Sequence, residues 1–203
     1  MATIRNIISL HLQKLISLKM KKYLSLLFLA CAFISHGQTY VKFNGATALI
    51  LVPNIGVETS IGKKMTFQFD ATASFWESID GAPYKALILT PEVRYHFNEK
   101  NNGFYIGANV SGGTFKLQKY GYQDTNNYQK GYNYLLGMTL GYQWKLSEKW
   151  ALDLFVGGGH QEAFYKGYSI ETGERYDTWI HDYNKSGEWI LYRGGLMIAY
   201  KIK

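Results

Sequence analysis

From Gln38 onward, apolar side chains recur at every second residue rather than every third or fourth. That period restricts the chain to strands with one apolar face. In Ala86–Phe97, Leu87, Leu89, Val93, Tyr95 and Phe97 share one face, and Thr90, Glu92, Arg94 and His96 share the other. Met65–Trp76, Tyr132–Trp144 and Ile190–Ile202 repeat the pattern, and eight such strands are predicted, at about 40–51, 55–61, 65–76, 85–97, 104–117, 132–145, 149–163 and 190–203. Gly62-Lys63-Lys64, Asn98–Gly103 and Ser147-Glu148-Lys149 are short turns, whereas 77–84, 118–131 and 164–189 read as longer polar loops; the first connection, at Pro53-Asn54, reads as tight. Short and long connections in alternation are the mark of an up-and-down barrel with both termini on the short-turn side.

The expected fold is therefore all-β, an eight-stranded antiparallel up-and-down transmembrane β-barrel. A strand of about 10–12 residues, rising ~3.3 Å each and tilted about 40°, spans the roughly 25 Å apolar band of such barrels. Aromatic residues stand at both strand ends: Tyr40, Phe97, Phe104, Trp144, Trp150 and Tyr200 by the short turns, and Phe75, Tyr84, Tyr132, Phe164, Trp189 and Tyr192 by the long loops. Two aromatic girdles would use rings there. A secreted lipocalin-like carrier shares the period with its apolar face inward. Charges on the polar face at mid-strand, loop asymmetry and the lack of a disulfide favour the apolar-out barrel.

The leader supplies an address. Met20-Lys21-Lys22 is a basic n-region, Tyr23 through Ile34 is an apolar run of 12 residues, and Ser35-His36-Gly37 sets small residues before Gln38. This reads as a cleaved secretory signal, residues 1–37, ahead of a barrel domain, 38–203. The run is short of the ~20 residues a membrane-spanning helix needs. Met20 is the better start, with an amphipathic leader over 1–19 as the competing reading; lipidation at Cys31 is disfavoured by the poor Phe28-Leu29-Ala30 context. The expected destination is a bacterial outer membrane, with termini in the periplasm and long loops outside.

Charge excludes one class of partner. The formal net charge is +7, but five basic residues (Arg5, Lys14, Lys19, Lys21, Lys22) precede Gln38 without any acidic one, leaving 17 basic against 15 acidic residues beyond it. That is no nucleic-acid footprint. The only cysteine, Cys31, lies in the leader. Neither a cofactor nor a metal site is expected.

Pro53-Asn54-Ile55-Gly56-Val57-Glu58 with Ile61-Gly62-Lys63-Lys64, then Pro91-Glu92-Val93-Arg94-Tyr95, Gly103-Phe104-Tyr105-Ile106-Gly107 and Gly141-Tyr142-Gln143-Trp144, resemble an uncharacterised family of small Bacteroidota outer-membrane barrels. The likeness covers about 42–160 and fades through 164–189. It implies an eight-stranded outer-membrane barrel without an established activity. The chain departs from the common barrel ending, an aromatic residue, by finishing Tyr200-Lys201-Ile202-Lys203.

Candidate site residues follow from the polar face. Glu58, Asp70, Glu92 and Asp153 would face Lys42, Arg94 and Arg193 across a lumen that eight strands fill with side chains. An ion-pair network plugging the barrel is the favoured reading, and a narrow polar pathway is the alternative. His96, His160 and His181, with Ser169, Ser186, Asp177 and Asp182, could supply a lipid acyltransferase-like site, but the barrel is expected to be no enzyme. Gly157-Gly158-Gly159 reads as a flexible wall rather than a phosphate loop, since no Lys-Ser/Thr follows. In the longest loop, Tyr168, Tyr176, Trp179 and Tyr183 would bind an extracellular protein or glycan, or pack on lipopolysaccharide. Expected partners are thus outer-membrane lipid and lipopolysaccharide, and the expected role is envelope integrity or surface binding.

Overall fold

Alternation becomes a closed wall in the computed structural model, which describes residues 37–78, 81–123, 125–177 and 182–203. Eight strands run in chain order: β1 (Thr39–Asn44), β2 (Asn54–Ser60), β3 (Met65–Glu77), β4 (Pro83–His96), β5 (Gly103–Leu117), β6 (Asn127–Lys145), β7 (Trp150–Ser169) and β8 (Asn184–Lys201). Each pairs antiparallel with the next, and β8 returns to β1, so the sheet is a closed up-and-down barrel. Register pairs followed once around from Phe43 reach Gly187, eleven residues from Ile198, the direct β8 partner of Phe43. That stagger is what tilts the strands of a closed barrel.

The polar face lies inside. Lys42, Glu58, Gln68, Glu92, Arg94, Gln143 and Asp153 are buried, while Val57, Phe69, Leu89, Val110, Leu140 and Leu154 stand on the exposed exterior. This is the reverse of what a lipocalin-like carrier requires. Among the described residues no helix is long and apolar enough to cross a membrane, which leaves strand crossing open.

Several predicted boundaries change. β1 stops at Asn44 instead of continuing to 51, because Asn44 accepts a hydrogen bond from the Thr47 amide (3.3 Å) and caps a single helical turn, α1 (Gly45–Ala48). The first connection is therefore not tight but nine residues, 45–53, whereas the predicted loop at 77–84 shrinks to five, 78–82, shorter than the six-residue turn 97–102 that follows it. Asn44 also donates to the Gly194 carbonyl (3.1 Å), on the stretch of β8 that β1 is too short to pair. At the same end β6, β7 and β8 reach 19, 20 and 18 residues, so much of the predicted loops at 118–131 and 164–189 is strand. Those extensions carry few apolar residues, and pairing between neighbours rather than hydrophobic alternation holds them extended.

Three predicted girdle residues turn inward. Tyr40 is on the face of Lys42 and packs with Ala151 and Ala199. Tyr84 stacks on Trp76 (ring centroids 4.7 Å) in the inward register, and the Tyr192 hydroxyl donates to Asn109 Oδ1. The pairing irregularity of β7 and β8 falls between Gly157 and Gly158, where the wall was expected to bend.

Candidate functional site in the barrel lumen

Strand parity brings all seven predicted lumen charges into one network. Lys42 Nζ contacts Glu58 and lies 2.6 Å from Asp153 Oδ2. Arg94 spans Asp153 (2.7 Å), Glu92 (3.0 Å) and Glu58 (3.6 Å). Arg193 then joins Glu92 (2.9 Å) to Asp70 (2.7 Å). Except for Arg193 and Asp70, which keep a sliver of exposure, these side chains are fully buried, and each charge has an opposite partner at contact distance. Removing one partner would strand another charge away from water, which is far more costly than the pair itself is stabilising.

Neutral groups extend the network. Thr66 Oγ1 donates to Glu58 (2.5 Å), Gln143 Nε2 donates to Glu58 (3.1 Å), and Gln68 and Asn54 donate to Asp70 (3.0 and 3.1 Å). The Tyr105 hydroxyl donates to Asp153 (2.8 Å), and its ring lies 4.4 Å from the Arg94 guanidinium. Sequence reading missed Tyr105, although its two-residue phase with Gly103 and Gly107 marks it as inward. His96 belongs here too, 3.1 Å from Thr66 Oγ1 and 3.6 Å from Glu58 Oε1.

Glycine makes room for these long side chains. A β-carbon on Gly107 would overlap Glu92, one on Gly141 would enter the Tyr105 ring, and one on Gly157 would stand 2.7 Å from Arg193 Cγ. Toward the long-connection end the lumen widens into a pocket of about 570 Å³, lined by Gln118, Lys119, Asn133, Gln161, Glu188 and Tyr192 among others.

The other candidates are dispersed. His160 faces outward against Trp189 (5.5 Å), Ser186 accepts from Lys119 (3.1 Å), and Ser169 accepts from the Thr172 amide (3.4 Å). No described Ser or Asp of that set bonds to a described His; His181 lies outside the described residues. Asp177 is taken by Arg175 (2.5 Å), the Gly167 amide (2.7 Å) and Asn184.

Two of the loop aromatics, Tyr168 and Tyr183, line the same groove on the outer wall. Tyr168 sits in β7, stacked on Tyr128 (5.5 Å); Tyr183 lies edge-on to Tyr132 (6.0 Å). Tyr176 instead covers Gly167 and takes a hydrogen bond from Gln129 (3.5 Å). Trp179 lies outside the described residues. Among the described residues no cluster of His, Cys, Asp and Glu could hold a metal ion.

Fold and site together define a class: a small closed β-barrel, apolar outside and ion-paired within. The family described as "Protein of unknown function (DUF3575)" matches residues 23–201, and the chain belongs to that family. No curated protein and no solved structure matches the chain.

Proposed function

We propose that this chain is an outer-membrane barrel of the kind its Bacteroidota resemblance implies, exported by the segment before Gln38, with a closed lumen. Its task is envelope integrity or surface binding rather than catalysis or conduction. The observation that carries this reading is the inversion of the barrel. Exposed Leu, Val, Ile, Phe and Met side chains cover the outside at mid-strand, where water would disfavour them and lipid would not. The buried Lys42–Asp153–Arg94–Glu92–Arg193–Asp70 chain supports a plug, since it occupies the bore with paired charge.

In this orientation the short turns face the periplasm and the tall β6–β8 wall projects outside. Fractionation with unheated and boiled SDS electrophoresis tests the address. A heat-modifiable band in the outer-membrane fraction is expected, and a soluble band indifferent to heating would overturn it. Planar-bilayer recording tests the plug: no stable conductance steps are expected, and a persistent open channel would reject it.

A further inference from the structure

Four lysines stand side by side across four neighbouring strands. Lys85 pairs in register with Lys116, Lys116 with Lys130, and Lys130 with Lys166. All four share the outward parity of their strands: Lys85 is in phase with Leu87 and Leu89, Lys130 with Tyr132 and Leu136, and Lys166 with Phe164 and Val156. Like charges directly opposite each other destabilise a sheet. Among the described residues, only Lys85 of the four has a carboxylate in ion-pair contact, Glu77 at 2.5 Å. Lys116 and Lys166 instead rest on the rings of Tyr128 (4.7 Å) and Tyr183 (4.5 Å).

The row's height along the strands is specific. On β6 and β7 it lies one outward position beyond Tyr132 and Phe164, which stack at 5.3 Å, and one before Tyr128 and Tyr168, which stack at 5.5 Å. The four lysines line a single open groove of about 460 Å³ on the outer wall, with Phe75 and Tyr132 beside them. Aromatic rings at the edge of an apolar band, with cations just past them, match a lipid whose acyl chains end where its anionic headgroup begins. A row of several cations suits a headgroup bearing more than one phosphate better than a single phosphodiester.

We propose that Lys85, Lys116, Lys130 and Lys166 form a binding site for the phosphates of a multiply phosphorylated glycolipid of the outer leaflet. The proposal rests on the outer-membrane reading above and names the lipid and the place it binds. The anion offsets the mutual repulsion of the lysines, Phe75 and Tyr132 lie against the sugar and upper acyl carbons, and the tall β6–β7 wall is held at the membrane surface.

The test reconstitutes the full chain, and a variant carrying Lys85→Gln, Lys116→Gln, Lys130→Gln and Lys166→Gln, into phosphatidylcholine nanodiscs. These are doped with diphosphorylated lipid A, its dephosphorylated counterpart or phosphatidylglycerol, and native mass spectrometry reads the retained lipid; free pyrophosphate is a further arm. The unsubstituted chain should retain diphosphorylated lipid A about tenfold or more over the dephosphorylated form, and the variant should lose that preference. Without anionic lipid the variant should unfold at the same or a higher temperature, because the repulsion is gone.

Equal retention of the two lipid A forms by the unsubstituted chain overturns the proposal, whatever the variant does. So does phosphatidylglycerol held as tightly, or pyrophosphate bound while lipid A is not. A chain that inserts, shows heat-modifiable mobility and ignores the phosphates sinks this site alone. A chain that never inserts sinks the outer-membrane reading with it.

Discussion

Gly107 leaves the space that the carboxylate of Glu92 fills: a β-carbon placed on Gly107 would overlap Glu92 Oε1. The same carboxylate lies 3.0 Å from Arg94 and 2.9 Å from Arg193, so the glycine decides whether two buried cations keep their shared anion. Gly107→Ala should therefore destabilise the barrel by about 1–3 kcal/mol through overpacking. Gly112→Ala, whose new β-carbon would come no nearer than 3.9 Å to Asn133 O, should stay within about 0.5 kcal/mol. Urea titration of the folded band on unheated gels measures both, and equal midpoints would refute the packing argument.

Lys42 is the cation that Glu58 and Asp153 share. Lys42→Met should lose about 3–5 kcal/mol, since the two carboxylates then share Arg94 as their one Lys or Arg partner. Adding Glu58→Gln should restore a measurable part, because it removes one stranded charge. A double variant less stable than the single one would show that Glu58 is held chiefly by Thr66, Gln143 and Arg94.

Leu140 is 60% exposed on the outer wall, between Ile106 and Val156 in register. In a bilayer, Leu140→Arg should cost about 2–4 kcal/mol near the midplane. A water-exposed barrel would register less than about 0.5 kcal/mol for the same surface change. Folding yield into vesicles, compared with unfolding in aqueous detergent-free buffer, separates the two.

Asp177 holds the hairpin that joins β7 to β8. Burial by itself would raise its carboxyl, but hydrogen bonds from Arg175, the Gly167 amide and Asn184 outweigh burial and hold it below the ordinary aspartate range. A folded value below the unfolded one adds stability that is present above the unfolded pKa of about 3.9 and is lost as pH falls through the folded value. Pepsin cleavage between Ser169 and Asn184 should thus stay slow near pH 4 and accelerate toward pH 2. Asp177→Asn should flatten that profile. Cleavage independent of pH in the unsubstituted chain would refute the role.

Much of the barrel was legible because a half-exposed strand repeats at period two, and parity assigned every lumen charge from Lys42 to Arg193 to one face. Boundaries were less legible. Leu49-Ile50-Leu51 has the composition of a strand, yet the Asn44 cap turns the chain before it. The extended ends of β6, β7 and β8 carry polar residues at both parities, so no apolar pattern marks them. Tyr40 and Tyr192 looked like girdle residues by position, but Tyr40 shares the parity of Lys42, and Tyr192 is the residue skipped in the pairing of β7 with β8, between Leu191 and Arg193. His96 looked like a base in search of a nucleophile, and lies instead beside Glu58 and Thr66.

By itself the sequence determined the fold class, the inward face of the polar mid-strand residues and which charges share the interior, because all three follow from local alternation. Only the tertiary structure decided which charge meets which. Lys42 and Asp153 are 111 residues apart, and Arg193 and Asp70 are 123 apart. Those meetings depend on register and stagger around a closed ring, as does the alignment of Lys85, Lys116, Lys130 and Lys166. Ring closure is a property of all eight strands at once, and no local window of sequence contains it.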